Sequence, residues 1–304
     1  MRDTTCDEAP SPNLLSAMTL SAEQTTLTSN LSIFYILQGT RPGRILEEAL
    51  VDKSALLRHE ILFALGQMRD PSAMPVLIAT LEDRNEHGMV RHEAAEAIGA
   101  IGMPEGLKVL EKFSSDPVHQ EVRETCDLAL RRIQWHVALA ESGEKVTPGK
   151  FISVDPAPSA DKSLPIPTLR ALLLDSSAAL FDRYGALFAL RDRGDADAVA
   201  AMCTCLLDCN SALLKHEVAY VLGQLQDPSS TAALKRCLAD PREHAMVRHE
   251  AAEALGSVAP DGGEEFLEQF LDDDNCIVRE SAEVALDMLR YERSGSFVAL
   301  PVTS

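Results

Sequence analysis

The chain has 304 residues, of which 46% are hydrophobic, 25% charged and 5% aromatic, and its formal net charge is −19 at pH 7. That carboxylate excess repels a nucleic-acid backbone and steers basic partners towards the surface, so nucleic-acid binding is excluded. No apolar run approaches the ~20 residues that span a bilayer, and the polar start MRDTTCDEAPSPN is neither a signal nor a transit peptide, so a cytoplasmic protein without a membrane partner is expected.

Alanine and leucine abound and aromatics are few, which favours helix over sheet, because unbranched side chains lose little rotamer freedom on a helix. The seven cysteines (6, 126, 203, 205, 209, 237, 276) are an odd number without paired CxxC spacing, which predicts buried free thiols. Taken in chain order, residues 1–22 read as an N-terminal extension, 23–135 as a helical half, and 136–163, rich in Pro, Ser and Gly, as a linker. Residues 164–292 form a second helical half, and 293–304 a tail.

The halves are copies. SALLRHE at 54–60 returns as SALLKHE at 211–217, and MVRHEAAEAIG at 89–99 returns as MVRHEAAEALG at 246–256, both displaced by 157 residues. A shorter period of 33 residues separates His59 from His92 and His216 from His249. Each unit reads as a helix pair. Asp70-Pro71 ends one helix, PVLIATLED forms the next, and Arg84–Gly88 is a polar turn. A further helix opens at Met89, where Val90, Ala94, Ala97, Ile98 and Ile101 keep a helical period. The pattern predicts an all-α, HEAT-like solenoid of two pseudo-symmetric halves, each of about four helix pairs with degenerate outer units.

Only the two inner units of each half carry a His-Glu pair: His59-Glu60, His92-Glu93, His216-Glu217 and His249-Glu250. The final units read Val122-Arg123-Glu124-Thr125 and Val278-Arg279-Glu280-Ser281, so the repeat forms without the pair. The other histidines (87, 119, 136, 244) follow no such pattern and are given no role. Equivalent helices in a solenoid lie about 8–10 Å apart, so His59 and His92 converge, and His216 and His249 do likewise. Adding Glu93 or Glu250 gives two imidazoles and one carboxylate, the donor set of non-haem Fe(II) oxygen chemistry. Neighbours on a helix lie about 100° apart, so Glu60 and Glu217 are ranked as second-choice ligands, better suited to a supporting or cation-binding role. Glu96 and Glu253 are rivals for the ligand role, read as exposed or supporting. No pair continues as HExxH, and neither a phosphate loop nor a GxSxG elbow is present.

The four matched pairs, their spacing and the duplication resemble deoxyhypusine hydroxylase, over essentially all of the chain except its ends and linker. The resemblance implies a di-iron monooxygenase with two Fe(2+) per chain. Its implied ligands are His59, His92, Glu93, His216, His249 and Glu250, with Glu60 and Glu217 facing the substrate amines. Molecular oxygen would hydroxylate the deoxyhypusine side chain of the translation initiation factor 5A precursor, completing hypusine. The alternatives are a non-catalytic HEAT-repeat protein-binding scaffold, a bilin-attaching lyase with similar repeats, and a di-zinc or di-manganese hydrolase.

Overall fold

The computed structural model of the chain describes residues 50–143 and 150–294. The expected N-terminal extension, the opening unit of the first half and the last ten residues of the tail lie outside the described residues. Thirteen α-helices and no strand occur among the described residues. The first half holds α1 (Ala55–Met68), α2 (Met74–Glu82), α3 (Gly88–Ile101), α4 (Leu107–Phe113) and α5 (Gln120–Ser142). The second holds α6 (Ile166–Leu174), α7 (Leu180–Arg193), α8 (Ala196–Asp208), α9 (Ala212–Leu225), α10 (Thr231–Ala239), α11 (Ala245–Val258), α12 (Gly263–Leu267) and α13 (Cys276–Ser294). No described helix is long and apolar enough to cross a membrane.

Caps fix where the helices begin. The Ser54 and Ser211 hydroxyls accept the Leu57 and Leu214 amides at 3.0 and 3.1 Å, which explains the serine that opens both SALL segments. Asp70 and Asp227 accept from Ser72 and Ser229, each starting a short 3-10 turn on a proline. His87 and His244, given no role from sequence, are matched N-caps that accept the Met89 and Met246 amides through Nδ1. Their pairing follows from the 157-residue displacement, but a histidine cap carries little sequence signal.

The Val-Arg step is a clamp. Arg91 donates through Nε to the Leu81 carbonyl at 3.1 Å and through Nη2 to Asp116 at 3.0 Å. Arg248 does the same to Leu238 and Asp273. Each arginine thereby satisfies an orphan carbonyl at the end of the outer helix and ties in the turn of the next unit. The buried apolar residues of both halves form one continuous core.

Glycine sets how closely the inner helices approach. Gly66, Gly99, Gly223 and Gly256 each lie seven residues, two turns, beyond a paired histidine. A Cβ on Gly99 would sit 2.7 Å from the Ala129 Cβ, and one on Gly256 2.9 Å from the Ala285 Cα. The same faces that carry the histidines therefore pack backbone against backbone. α5 runs to Ser142, past the position at which the linker was expected to begin. Beyond it, Val154 N–H donates to Gln67, Ala160 N–H donates to the Gly185 carbonyl, and Arg132 donates to the Asp155 carbonyl. The described part of the linker is thus bonded to both halves. Cys126, Cys203, Cys205, Cys209 and Cys237 are free thiols, whereas Cys276 is disulfide-bonded, against the expectation of free thiols throughout.

Candidate metal centre

The four inner helices α1, α3, α9 and α11 bring all four paired histidines to one place. His92 and His249 are fully buried, and His59 and His216 nearly so. Within each half the ring centroids are 5.4 Å (His59–His92) and 5.1 Å (His216–His249) apart. Across the halves, His59–His249 is 5.3 Å and His92–His216 is 5.6 Å. The halves therefore face each other so closely that the expected two sets merge into one cluster. His59, His216 and His249 can even point one donor atom each at a shared position, within 4.8 Å of one another.

The carboxylates fall into two kinds. Glu93 Oε2 lies 3.3 Å from His59 Nε2, and Glu250 Oε2 lies 3.3 Å from His216 Nε2. Both share the inward side of the rings, and the sets His59/His92/Glu93 and His249/Glu250/Glu253 each have donor atoms within 4.8 Å. Glu60 instead stands behind His59, its Oε1 2.9 Å from Nδ1. Glu253 stands 3.5 Å from His249 Nδ1 and is buried, not exposed, while Glu96 is half-buried. A carboxylate on the far ring nitrogen fixes the tautomer and raises the basicity of the near one.

The cluster is unsatisfied as protein alone. Both ring nitrogens of His92, Nδ1 of His249, Oε2 of Glu60 and Oε1 of Glu253 are buried without a hydrogen-bond partner. Each such atom costs about 1–3 kcal/mol, so this concentration would be selected against unless something else binds there. Burial and the neighbouring His59 and His216 charges hold His92 well below its ordinary pKa, and burial lowers His249 too. Burial also lowers His59, but hydrogen bonds with Glu60 and Glu93 outweigh it and raise the ring. Burial pushes the Glu60, Glu217 and Glu253 carboxyls up, and Glu96 to about 8, with nearby carboxylates adding to the rise. A divalent cation suits such a cluster, because it takes imidazole lone pairs and offsets carboxylate charge. Imidazoles with carboxylates are a donor set that fits a transition metal such as iron.

A cleft reaches the cluster from the linker side, lined by Glu60, Phe63, Glu96, Asp155, Glu217 and Tyr220 among others. Phe63 and its repeat counterpart Tyr220 meet edge to face at 5.7 Å across the entrance. Asp155 belongs to the linker and was missed in the sequence, where it has no repeat partner to mark it. Its carboxylate is held by both Arg191 nitrogens at 2.8 and 2.6 Å.

The HEAT-repeat family model matches residues 44–131 and 206–287. A Danio rerio protein named deoxyhypusine hydroxylase is 49% identical over 86% of this chain and 85% of its own. The chain belongs to the deoxyhypusine hydroxylase family. The Oryza sativa deoxyhypusine hydroxylase-B is 51% identical over 85% of both chains. The solved structure of human deoxyhypusine hydroxylase superposes with a TM-score of 0.81 at 44% identity, covering 92% of this chain and 96% of that one. Membership in a hydroxylase family sets aside the scaffold reading.

Proposed function

We propose that this chain is a cytosolic, di-iron, O2-dependent monooxygenase that hydroxylates the deoxyhypusine side chain of the precursor of translation initiation factor 5A. What carries the reading is the convergence of four buried histidines and two carboxylates from both halves, with both ring nitrogens of His92 and one each of His59 and His249 lacking a partner, in a chain of this family. His59, His92, Glu93, His216, His249 and Glu250 would hold two Fe(2+) ions. Iron bound there supplies the electrons and the open coordination positions with which molecular oxygen is activated for C–H hydroxylation.

The chain's own residues do the rest. Glu60 accepts the His59 Nδ1 proton and fixes that ring with Nε2 towards the centre, and Glu253 is placed to do the same for His249. The substrate side chain is long and carries two amines, both cationic at neutral pH. Glu217 and Glu96 line the cleft with carboxyls whose pKa burial raises, and the charge of an arriving ammonium group favours their ionisation. In a cleft this enclosed, such a pair is worth more than the ~1 kcal/mol of a surface contact. Phe63 and Tyr220 narrow the mouth and shed water from the apolar stem of the substrate. The −19 net charge favours approach of a basic loop bearing the modified lysine.

The test is mass spectrometry of the deoxyhypusine-bearing factor after incubation with the iron-loaded chain. One added oxygen under air, and none under argon, is expected. No added oxygen, or full turnover by a zinc- or manganese-loaded chain, would overturn the proposal.

A further inference from the structure

The arginine clamp has a third copy, and it closes on sulfur. Arg183 donates through Nε to the Leu173 carbonyl at 3.0 Å, as Arg91 and Arg248 do to theirs. In those two units the guanidinium then meets a carboxylate, Asp116 or Asp273, which also accepts the amide two residues on (Val118 or Asn275). In the third unit the same place is taken by Cys209. Its Sγ receives Arg183 Nη2 at 3.1 Å and the Ser211 amide, two residues on, at 3.4 Å. Cys205 lies one helical turn earlier, and its carbonyl accepts the Cys209 amide at 3.0 Å. Two donors at 3.1 and 3.4 Å hold the Cys209 sulfur, against a single long contact of 4.0 Å to the Ser211 carbonyl, in a position that the repeat fills twice with an anion.

We propose that Cys209 is a standing thiolate and a modification site for soft electrophiles and peroxides, with Cys205 as its resolving thiol. The donors stabilise the anion, beginning with the Cys205 S–H, and bring the Cys209 pKa down to about 5. Burial drives the other free thiols the opposite way, Cys203 to about 11 and Cys126 and Cys237 to about 12. Cys209 is only half-buried, so reagents have a path to it, whereas Cys205 is fully buried beside it. With hydrogen peroxide as oxidant, the thiolate attacks one peroxide oxygen, the O–O bond breaks and hydroxide leaves, giving Cys209 sulfenic acid. The Cys205 thiol then attacks the sulfenic sulfur, and water leaves as the S–S bond forms. Sulfur is oxidised by two electrons and peroxide reduced by two. Ser211, two residues on, caps α9 and bonds to Glu124 of the other half, so the modified position adjoins the junction of the halves.

The full-length chain, metal-loaded, is treated with limiting iodoacetamide at pH 6 and its peptides are mapped by mass. Cys209 should label at least about tenfold faster than half-buried Cys203; equal rates would overturn the thiolate. Replacing the sulfur separates charge from packing. Cys209→Asp should keep the wild-type unfolding midpoint, as the two sister units do with aspartate, while Cys209→Ala should lower it. Equal midpoints for the two variants would also count against an anion at this position. After peroxide, a Cys205–Cys209 disulfide peptide is expected, and Cys205→Ser should instead accumulate a dimedone-trapped sulfenic acid at Cys209. A sulfenic acid that persists in the wild type would overturn the role given to Cys205.

Discussion

Ser54, the cap of α1, donates its hydroxyl proton to Glu280 of α13 at 2.6 Å, which joins the first described helix to the last. The duplication repeats the bond in mirror sense: Ser211, the cap of α9, donates to Glu124 of α5 at 2.9 Å. Both acceptors stand in the degenerate final units, at the place where the inner units carry histidine. In place of a His-Glu pair, these positions supply the two carboxylates that tie the halves together around the histidine cluster.

Glu280→Ala and Glu124→Ala should each cost about 1.5–3 kcal/mol, the usual worth of a hydrogen bond to a charged group. Combined, they should also weaken iron binding, because the ligands come from both halves. Chemical unfolding and iron content of the single and double variants check this, and a double variant with full iron would refute the coupling.

Glycine packing should govern the metal site from a distance. Gly256→Ala would drive a methyl to 2.7 Å from the Ala285 carbonyl oxygen. Overpacking of this kind costs about 1–3 kcal/mol, and moving α11 displaces His249 and Glu250. A lower thermal midpoint with reduced iron content is expected, whereas Gly143→Ala, with nothing within 4 Å of its Cβ, should leave iron content unchanged despite its backbone strain.

The carboxylates should separate by role. His92→Ala should remove most of the bound iron. Glu60→Gln keeps shape but loses its charge on His59, and should weaken iron binding about 10–100-fold, the usual effect of a partner behind a ligand. Glu217→Gln should retain both irons and lose turnover through a raised KM. Iron analysis beside steady-state kinetics distinguishes the three.

The metal-free chain should lose stability as pH rises from 6.5 to 8. His92 and His249 have depressed pKa values, so their contribution is complete above the unfolded value of 6.5 and changes no further in that window. Glu96, at about 8, and the raised Glu217 and Glu253 hold their protons more tightly in the fold than in the unfolded chain, so folding is favoured at the lower pH. Raised His59 acts in the same direction, its stabilisation fading as pH passes its folded value. Thermal unfolding of the chelated protein across this range should show the fall, and reloading with iron should abolish it.

Much of this molecule was legible in its residues because the chain supplies its own comparison. Two copies of SALL(R/K)HE and MVRHEAAEA(I/L)G fixed the helix pairs, their period and the residues that converge. Asp155, Phe63 and Tyr220 were not singled out, since a linker residue has no repeat partner and an aromatic on a helix face looks like core. The caps His87 and His244 escaped for a similar reason: imidazole is an unusual cap, and only the backbone geometry reveals it.

By itself, then, the sequence determined the all-helical repeat, the duplication and the four histidines that converge, because helical period and repeat spacing are local and additive along the chain. Only the tertiary structure decided that the two halves turn their histidines towards one another at 5.1–5.9 Å, with Glu60 and Glu253 behind the rings. That decision lies in contacts between residues far apart in sequence, such as Ser54 with Glu280 and Gly99 with Ala129. Their pairing depends on the curvature accumulated over a whole half, which no short stretch of residues encodes.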